Sequence, residues 1–196
     1  MLVREVMTSP VVTVRRTDLV RRAIRLLHGH DITAAPVVDE AGRVIGIVSE
    51  LDLLRGEFDP DPRAHARPVH GSAEPPPSTV GEVMTGKVIT VTENTDVTTA
   101  IELMVGQRVK SLPVIRGDAL VGIVSRRDLM ALLARPDSML RDDVLAALRE
   151  QYPRYPGDGV SVQDGIAELA GPADDVADVI ARTVPGIVRV TRRSAP

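Results

Sequence analysis

The chain writes one unit twice. Residues 3–55 and 80–134 both open with V-x-E-V-M-T, pass through a V-[VI]-T-V run, an apolar-striped segment and a P-V-[VI] run, and close on G-I-V-S-x-x-D-L. Met7-Thr8 and Met84-Thr85 stand 77 residues apart, whereas Ser49 and Ser125 stand 76 apart, so one residue is lost in the hairpin between them. A duplication this regular sets the architecture before any single residue is read, because each copy is one supersecondary unit that buries its apolar face against its neighbour. It predicts a pseudo-twofold module whose cleft is lined twice by the same residue types.

Within the first copy, Val11-Val12-Thr13-Val14 is β-branched and reads as a strand. A helix is expected to start at Thr17-Asp18. Val20, Ala23, Ile24 and Leu27 then fall at i, i+3, i+4 and i+7, one buried stripe that Gly29 ends. Ala35-Pro36-Val37-Val38 and Val44-Ile45-Gly46-Ile47-Val48 read as strands joined by the turn Asp39-Glu40-Ala41-Gly42, and Ser49 as the cap of a helix carrying Leu51, Leu53 and Leu54. The second copy repeats this order. Val88–Val91 is its first strand, and Val97, Ala100, Ile101 and Met104 form its stripe. Arg116-Gly117-Asp118 is a tighter turn, and Ser125 is a cap ahead of Leu129, Met130, Leu132 and Leu133. The order β-α-β-β-α, twice, is α+β. Neither half covers both faces of a three-stranded sheet alone, so the two are expected to pack as one domain.

Residues 137–193 read differently. An amphipathic helix from Met139 to Tyr152 carries Val144, Leu145 and Leu148. Val160–Gly165 and Ile166–Gly171 read as two strands that meet through the Asp164-Gly165 turn. Pro172 is expected to open a helix with Val176, Val179, Ile180 and Val184 inward, Pro185-Gly186 to end it, and Ile187–Val190 to form a last strand. The order α-β-β-α-β makes a sheet with helices on one face, marginal alone at this size. The expected divisions are 1–56, a proline-rich linker over 57–79, 80–135, and 137–193. His65 and His70 sit in the linker with Asp59 and Asp61, without metal-ligand spacing, and read as a solvated loop; no metal site is expected. His28 and His30 end a helix, where imidazole suits the negative end of the dipole.

Composition excludes several function classes. Of 196 residues only Phe58, Tyr152 and Tyr155 are aromatic, so single-strand nucleic-acid binding lacks its stacking platforms. The net charge of −3 supplies no global field for phosphate backbones. There is no cysteine, no Ser-His-Asp arrangement and no phosphate-cradling glycine loop, so a non-catalytic protein is expected. No apolar run approaches the ~18 residues of a membrane span, and Met1-Leu2-Val3-Arg4-Glu5 lacks the apolar core of a signal peptide. A cytoplasmic location is expected.

The duplicated unit resembles the cystathionine-β-synthase (CBS) domain, and the tandem resembles a Bateman module. The match rests on Val6-Met7-Thr8, Pro36-Val37-Val38 and Gly46-Ile47-Val48-Ser49-x-x-Asp52. Their partners are Val83-Met84-Thr85, Pro113-Val114-Ile115 and Gly122-Ile123-Val124-Ser125-x-x-Asp128. The resemblance implies a cleft between the repeats that binds an adenine nucleotide (AMP, ADP or ATP), with S-adenosylmethionine as an alternative ligand, and no required cofactor. It places Asp52 and Asp128 on ribose hydroxyls and Ser49 and Ser125 on ribose or phosphate. The backbone around Thr33-Ala34-Ala35-Pro36 and Lys110-Ser111-Leu112-Pro113 would hold the base, and the strands ending at Val14 and Val91 would form the opposite wall. It also implies a homodimer formed through the helices.

Elementary chemistry supports these roles and supplies a competitor. An aspartate accepts two hydrogen bonds from a ribose diol. Ser-x-x-Asp at a helix start is also a near capping box, which explains the motif without a ligand. Both readings stand at this point. Around the second cleft lie Lys110, Arg126 and Arg127, where the first has Thr33, Glu50 and Leu51. Charge alone predicts that the second prefers a polyphosphate and that Asp128→Ala weakens binding more than Asp52→Ala. The alternative is that Arg126 and Arg127 solvate a helix face.

Residues 137–193 resemble the BON domain on Val160-x-Val162-x-x-Gly165-x-x-x-Leu169-x-Gly171, Val179-Ile180-Ala181 and Val184-x-Gly186-Ile187-x-x-Val190. That resemblance implies docking to a protein partner, with a phospholipid or envelope surface as the minority reading, since Arg189, Arg192 and Arg193 are only a weak basic cluster.

Overall fold

The computed structural model describes residues 1–55, 57–58, 61, 63, 76–153, 155, 159–170 and 174–193. The chain forms two compact units, and neither is a repeat. One comprises Ser9–Glu93 and Ser111–Ile123; the other comprises Met1–Thr8, Asn94–Lys110 and Val124–Pro196. His65, His70, Asp59, Pro172 and most of the 57–79 linker lie outside the described residues.

The first of these units holds one three-stranded sheet whole and all but the last two residues of a second. In one, β1 (Val14–Arg15) runs parallel to β2 (Ala34–Val38), joined by helix α1 (Val20–Gly29), and β2 runs antiparallel to β3 (Val44–Ser49). Helix α2 (Glu50–Leu54) and the short α3 (Val80–Val83) follow. In the other, β4 (Val91–Thr92) lies parallel to β5 (Ser111–Arg116), which pairs with β6 (Ala119–Ser125). The core of the first sheet is Val14, Val20, Ala23, Leu27, Ala35, Val37, Val48, Leu53 and Val80, so the expected α1 stripe is the buried one.

Three expectations need correction. The V-[VI]-T-V runs contribute only their last residues, Val14 and Val91, to strands. Val14 pairs with Val37 and Val91 with Val114, each one residue past a proline. Pro36 and Pro113 have no N–H to donate to a ladder, and β1 and β4 begin beyond them. Second, α1 starts at Val20; Asp18 instead accepts the Arg15 amide at 2.8 Å and closes a turn. Third, Ile101, expected in the buried stripe of the second copy, is exposed.

The segment ahead of each repeat's first strand is given to the other repeat. In one unit Val20 N–H donates to Ser78 at 3.0 Å, Val80 N–H to Asp18 at 2.8 Å and Gly81 N–H to Arg16 at 2.9 Å, while Ile47 and Thr85 exchange backbone bonds of 3.0 and 2.9 Å. In the other unit the arm Met1–Thr8 does the same to the segment leading into α4 (Val97–Gly106). There Val3 N–H donates to Thr95 at 2.9 Å, Val97 N–H donates to Met1 at 3.0 Å, and Arg4 bonds Asn94. Sequence order alone hides this exchange.

That second unit also contains α5 (Arg126–Leu133), α6 (Asp137–Gln151), β7 (Val160–Gln163), β8 (Ile166–Ala170), α7 (Asp175–Thr183) and β9 (Arg189–Arg193). From α6 onward the order is α-β-β-α-β, with β7 antiparallel and β9 parallel to β8. The turn Asp164-Gly165 has φ of +50° and +71°, the conformation that suits a two-residue hairpin. Asp137 at the start of α6 pins it by accepting the amides of Asp164 at 2.8 Å and Gly165 at 3.0 Å. The core is built on Leu140, Val144, Leu145 and Leu148 from α6, with Val160, Ala167 and Leu169 from the sheet.

Helix α7 is rotated from the expected face. Its buried stripe is Ala177, Ile180, Ala181 and, just past its end, Val184, at i, i+3, i+4 and i+7, and Val176 and Val179 are exposed. The two alanines carry the packing face. The last strand starts at Arg189, two residues later than expected, with Ile187 buried before it.

Asp174 caps α7 through the amides of Val176 (3.0 Å) and Ala177 (3.3 Å). A hydrogen bond from Tyr152, together with those amides, holds its carboxyl below the ordinary carboxylate value. A depressed folded pKa gives stability that is present above the unfolded value of 3.8 and lost as pH falls through the folded one. Asp174→Asn is therefore expected to flatten the acid limb of the unfolding profile below about pH 4. Tyrosine-detected urea titrations at pH 2–6 measure it, and an unchanged slope would remove Asp174 from acid stability.

Candidate ligand site

Each G-I-V-S strand delivers a serine in extended conformation to a helix start: Ser49 at φ −113°, ψ 167°, and Ser125 at φ −123°, ψ 165°. Asp52 Oδ2 accepts Ser49 N–H at 2.9 Å and its Oγ–H at 2.7 Å. Asp128 Oδ2 accepts the same two groups of Ser125 at 2.7 and 2.6 Å, and Ser125 Oγ accepts the Asp128 amide at 3.3 Å. The capping explanation of Ser-x-x-Asp thus holds in both repeats, but it consumes only one carboxylate oxygen of each aspartate.

The segments expected to hold a base lie beside these boxes. Thr33 C=O accepts the amide of Glu50 at 3.0 Å, and Lys110 C=O accepts that of Arg126 at 3.0 Å. The first amide of each helix is therefore spent inside the protein. Ala34 pairs with Ser49 and Ala35 with Val48, which ties the start of β2 to the serine. Ala35, Pro36 and Pro113 are buried, as is Ser111 at 7% exposure. Val14 packs in the core and Val91 is buried, so both side chains face inward. Lys110, Arg126 and Arg127 are exposed, and so are Glu50 and Leu51 at the start of α2. Thr33, Ser49 and Asp52 thus come together in one unit, and Lys110, Ser125, Arg126 and Asp128 in the other.

One participant was absent from the sequence reading. Thr8 Oγ1 donates to Asp128 Oδ1 at 3.1 Å. The M-T pair was visible as a repeated motif, but nothing in it points to a partner 120 residues away. Among the described residues no hydrogen bond reaches Asp52 Oδ1, and Thr85, the counterpart of Thr8, pairs through its backbone with Ile47.

A hollow of about 450 Å³ sits at the hairpin ends, lined by Asp39, Arg43, Val44, Ile45, Val88 and Ile115 among others, and includes none of these candidates. Its cation is already matched, since Arg43 Nε and Nη2 both lie 2.8 Å from Asp39 Oδ2. Among the described residues, no cluster of three His, Cys, Asp or Glu side chains is placed to hold a metal, and no helix is long and apolar enough to cross a membrane. The weak basic cluster near the C-terminus is largely paired: Arg192 contacts Asp178 at 2.6 Å and the Asp174 carbonyl at 2.7 Å, and Arg193 contacts Glu168 at 2.6 Å.

The family model for the CBS domain matches residues 3–58 and 80–135. The uncharacterized protein MJ1404 of Methanocaldococcus jannaschii is 30% identical over 133 residues, which are 67% of this chain and 32% of that protein, so the chain spans about a third of that relative's length. Among solved structures, the CBS domain pair of protein MJ0100, in complex with 5′-methylthioadenosine and S-adenosyl-L-methionine, is similar at a TM-score of 0.55 and 26% identity. That likeness covers 67% of this chain and 94% of that one. The CBS domain of a CBS domain-containing membrane protein from Sphaerobacter thermophilus gives 0.52 and 31%, over 67% and 86%. With both repeats matched by the family model and the pair's fold recurring in these structures, the chain belongs to the CBS-domain family.

Proposed function

We propose that this chain is a non-catalytic sensor that binds an adenosine-containing ligand at its Ser-Asp boxes and passes the bound state to a partner. CBS pairs are regulatory ligand-binding modules, and the MJ0100 pair carries two adenosine compounds. The observation that carries the reading is the half-spent carboxylate of Asp52: Oδ2 closes the box, while Oδ1 takes no hydrogen bond among the described residues. A carboxylate so placed accepts ribose hydroxyls without giving up its cap. Thr33 through Pro36 and Lys110 through Pro113 hold the base, and Lys110, Arg126 and Arg127 draw a 5′-phosphate toward the second box. AMP, ADP and ATP are the proposed ligands, with S-adenosylmethionine as the alternative where no phosphate is needed.

Calorimetric titration of the full chain with these four compounds tests it. Asp52→Asn keeps the side chain's shape and one acceptor but removes the charge. It is expected to weaken binding at that site by about tenfold or more, since hydrogen bonds to a charged group contribute roughly 1.5–3 kcal/mol. Absence of binding by all four compounds to the wild-type chain would reject the reading.

Residues 137–193 are proposed to be a BON-like partner-docking domain, on the motif match and the α-β-β-α-β order. With Arg192 and Arg193 paired internally, a protein partner fits better than an anionic lipid surface. The exposed Leu51, Leu54, Ile101, Val105, Met130 and Leu133 on the repeat helices fit a homodimer.

A further inference from the structure

We infer that Thr8 ranks the two clefts, by occupying an acceptor at Asp128 that Asp52 keeps open. The inference rests on the ribose reading above and adds which box fills first and why. A carboxylate oxygen offers about two lone-pair sites. In both boxes Oδ2 is filled by the serine amide and hydroxyl. At Asp52 both sites of Oδ1 are left, enough for a 2′,3′-diol. At Asp128 one of them is taken by Thr8 Oγ1 at 3.1 Å, leaving room for a single hydroxyl.

Thr8 is held there by more than its own hydroxyl. The arm that carries it is tied down by Val3 to Thr95, by Val97 to Met1, and by Arg4 to Asn94. Its hydroxyl is therefore positioned in advance and is not displaced at the cost of one weak contact. A diol entering the second box must expel Thr8 or bind through one hydroxyl; the first box carries no such competitor among the described residues. Hydrogen bonding thus ranks the clefts opposite to charge: Asp52 favours the sugar, and the Asp128 side favours the phosphate through Lys110 and Arg126.

Calorimetry of the full chain with AMP and 2′-deoxy-AMP tests this. Two classes of site are expected. Asp52→Asn should remove the tighter class and Asp128→Asn the weaker, and 2′-deoxy-AMP should lose more affinity at the tighter class. Thr8→Val should tighten the weaker class about fivefold, the equivalent of one exposed hydrogen bond of roughly 1 kcal/mol. Thr8→Ser, which restores the hydroxyl, should bind as wild type, a rescue that a merely structural arm defect would not follow. If Thr8→Val leaves the weaker class unchanged or weakens it further, or if Asp128→Asn removes the tighter class, Thr8 does not rank the sites while the sensor reading stands. If neither wild type nor Thr8→Val binds either compound, the nucleotide reading and this inference fail together.

Discussion

Leu148→Ala is expected to melt the C-terminal α-β-β-α-β segment well before the wild-type chain. Leu148 is among the largest fully buried side chains, 1% exposed, and closes the C-terminal end of the α6 face that builds the cluster with Val160, Ala167 and Leu169. Removing such a side chain forfeits its transfer free energy and leaves a cavity, together about 2–5 kcal/mol. A segment of this size has little stability in reserve, so that loss approaches its whole margin. The expected shift is on the order of 10 °C or more. The measurement is unusually local because Tyr152 and Tyr155, the chain's only tyrosines, both pack against this cluster, and there is no tryptophan. The tyrosine band in the near-ultraviolet circular dichroism of the full chain therefore reports this segment alone. A tyrosine transition within about 2 °C of wild type would show that the α6 face does not hold the segment together.

What the sequence disclosed follows the range of the interactions. The capping boxes join residues three apart and were readable from Ser-x-x-Asp, as was the hairpin at Asp164-Gly165, whose left-handed backbone only a few residue types tolerate. The α1 stripe was readable because its apolar residues are also its buried ones. Helix α7 was not, because small Ala177 and Ala181 pack inward while the larger Val176 and Val179 face out. Apolar periodicity weighs side chains by hydrophobicity, and a tight helix–helix approach selects for smallness instead. The strand ends were misplaced because proline's missing donor acts on its neighbour in the ladder, not on its own run. Least legible was the reciprocal arm. Repetition shows that V-x-E-V-M-T matters twice, but not that each copy serves the other repeat's elements. Thr8 at Asp128 is the functional residue lost for that reason.

Gly46→Val is expected to loosen the arm that ends at Thr85, and with it the first box. Gly46 is not needed for a left-handed backbone, although it pairs with Val37 at the point where the β2–β3 register shifts. It is needed for space. A Cβ there would lie 2.7 Å from Met84 Sδ and 3.2 Å from the Thr85 carbonyl oxygen. The thioether can swing aside, but the carbonyl cannot, because it accepts Ile47 N–H at 3.0 Å and Thr85 N–H returns a bond of 2.9 Å. Valine's two further methyls remove what slack remains. Overpacking of this kind costs typically 1–3 kcal/mol, and a displaced arm would add the exposure of Val80, which is fully buried. Ser49 lies three residues on in the same strand, so AMP affinity at the Asp52 box should fall with stability. A double-mutant cycle isolates the clash: Met84→Ala alone loses packing, yet in the Gly46→Ala background it should cost less than the two single changes summed, because it removes the sulfur that the new methyl strikes. Strict additivity, or a Gly46→Val chain within about 0.5 kcal/mol of wild type, would mean that the arm is not seated on Gly46 and that its exchange between repeats does not brace the site.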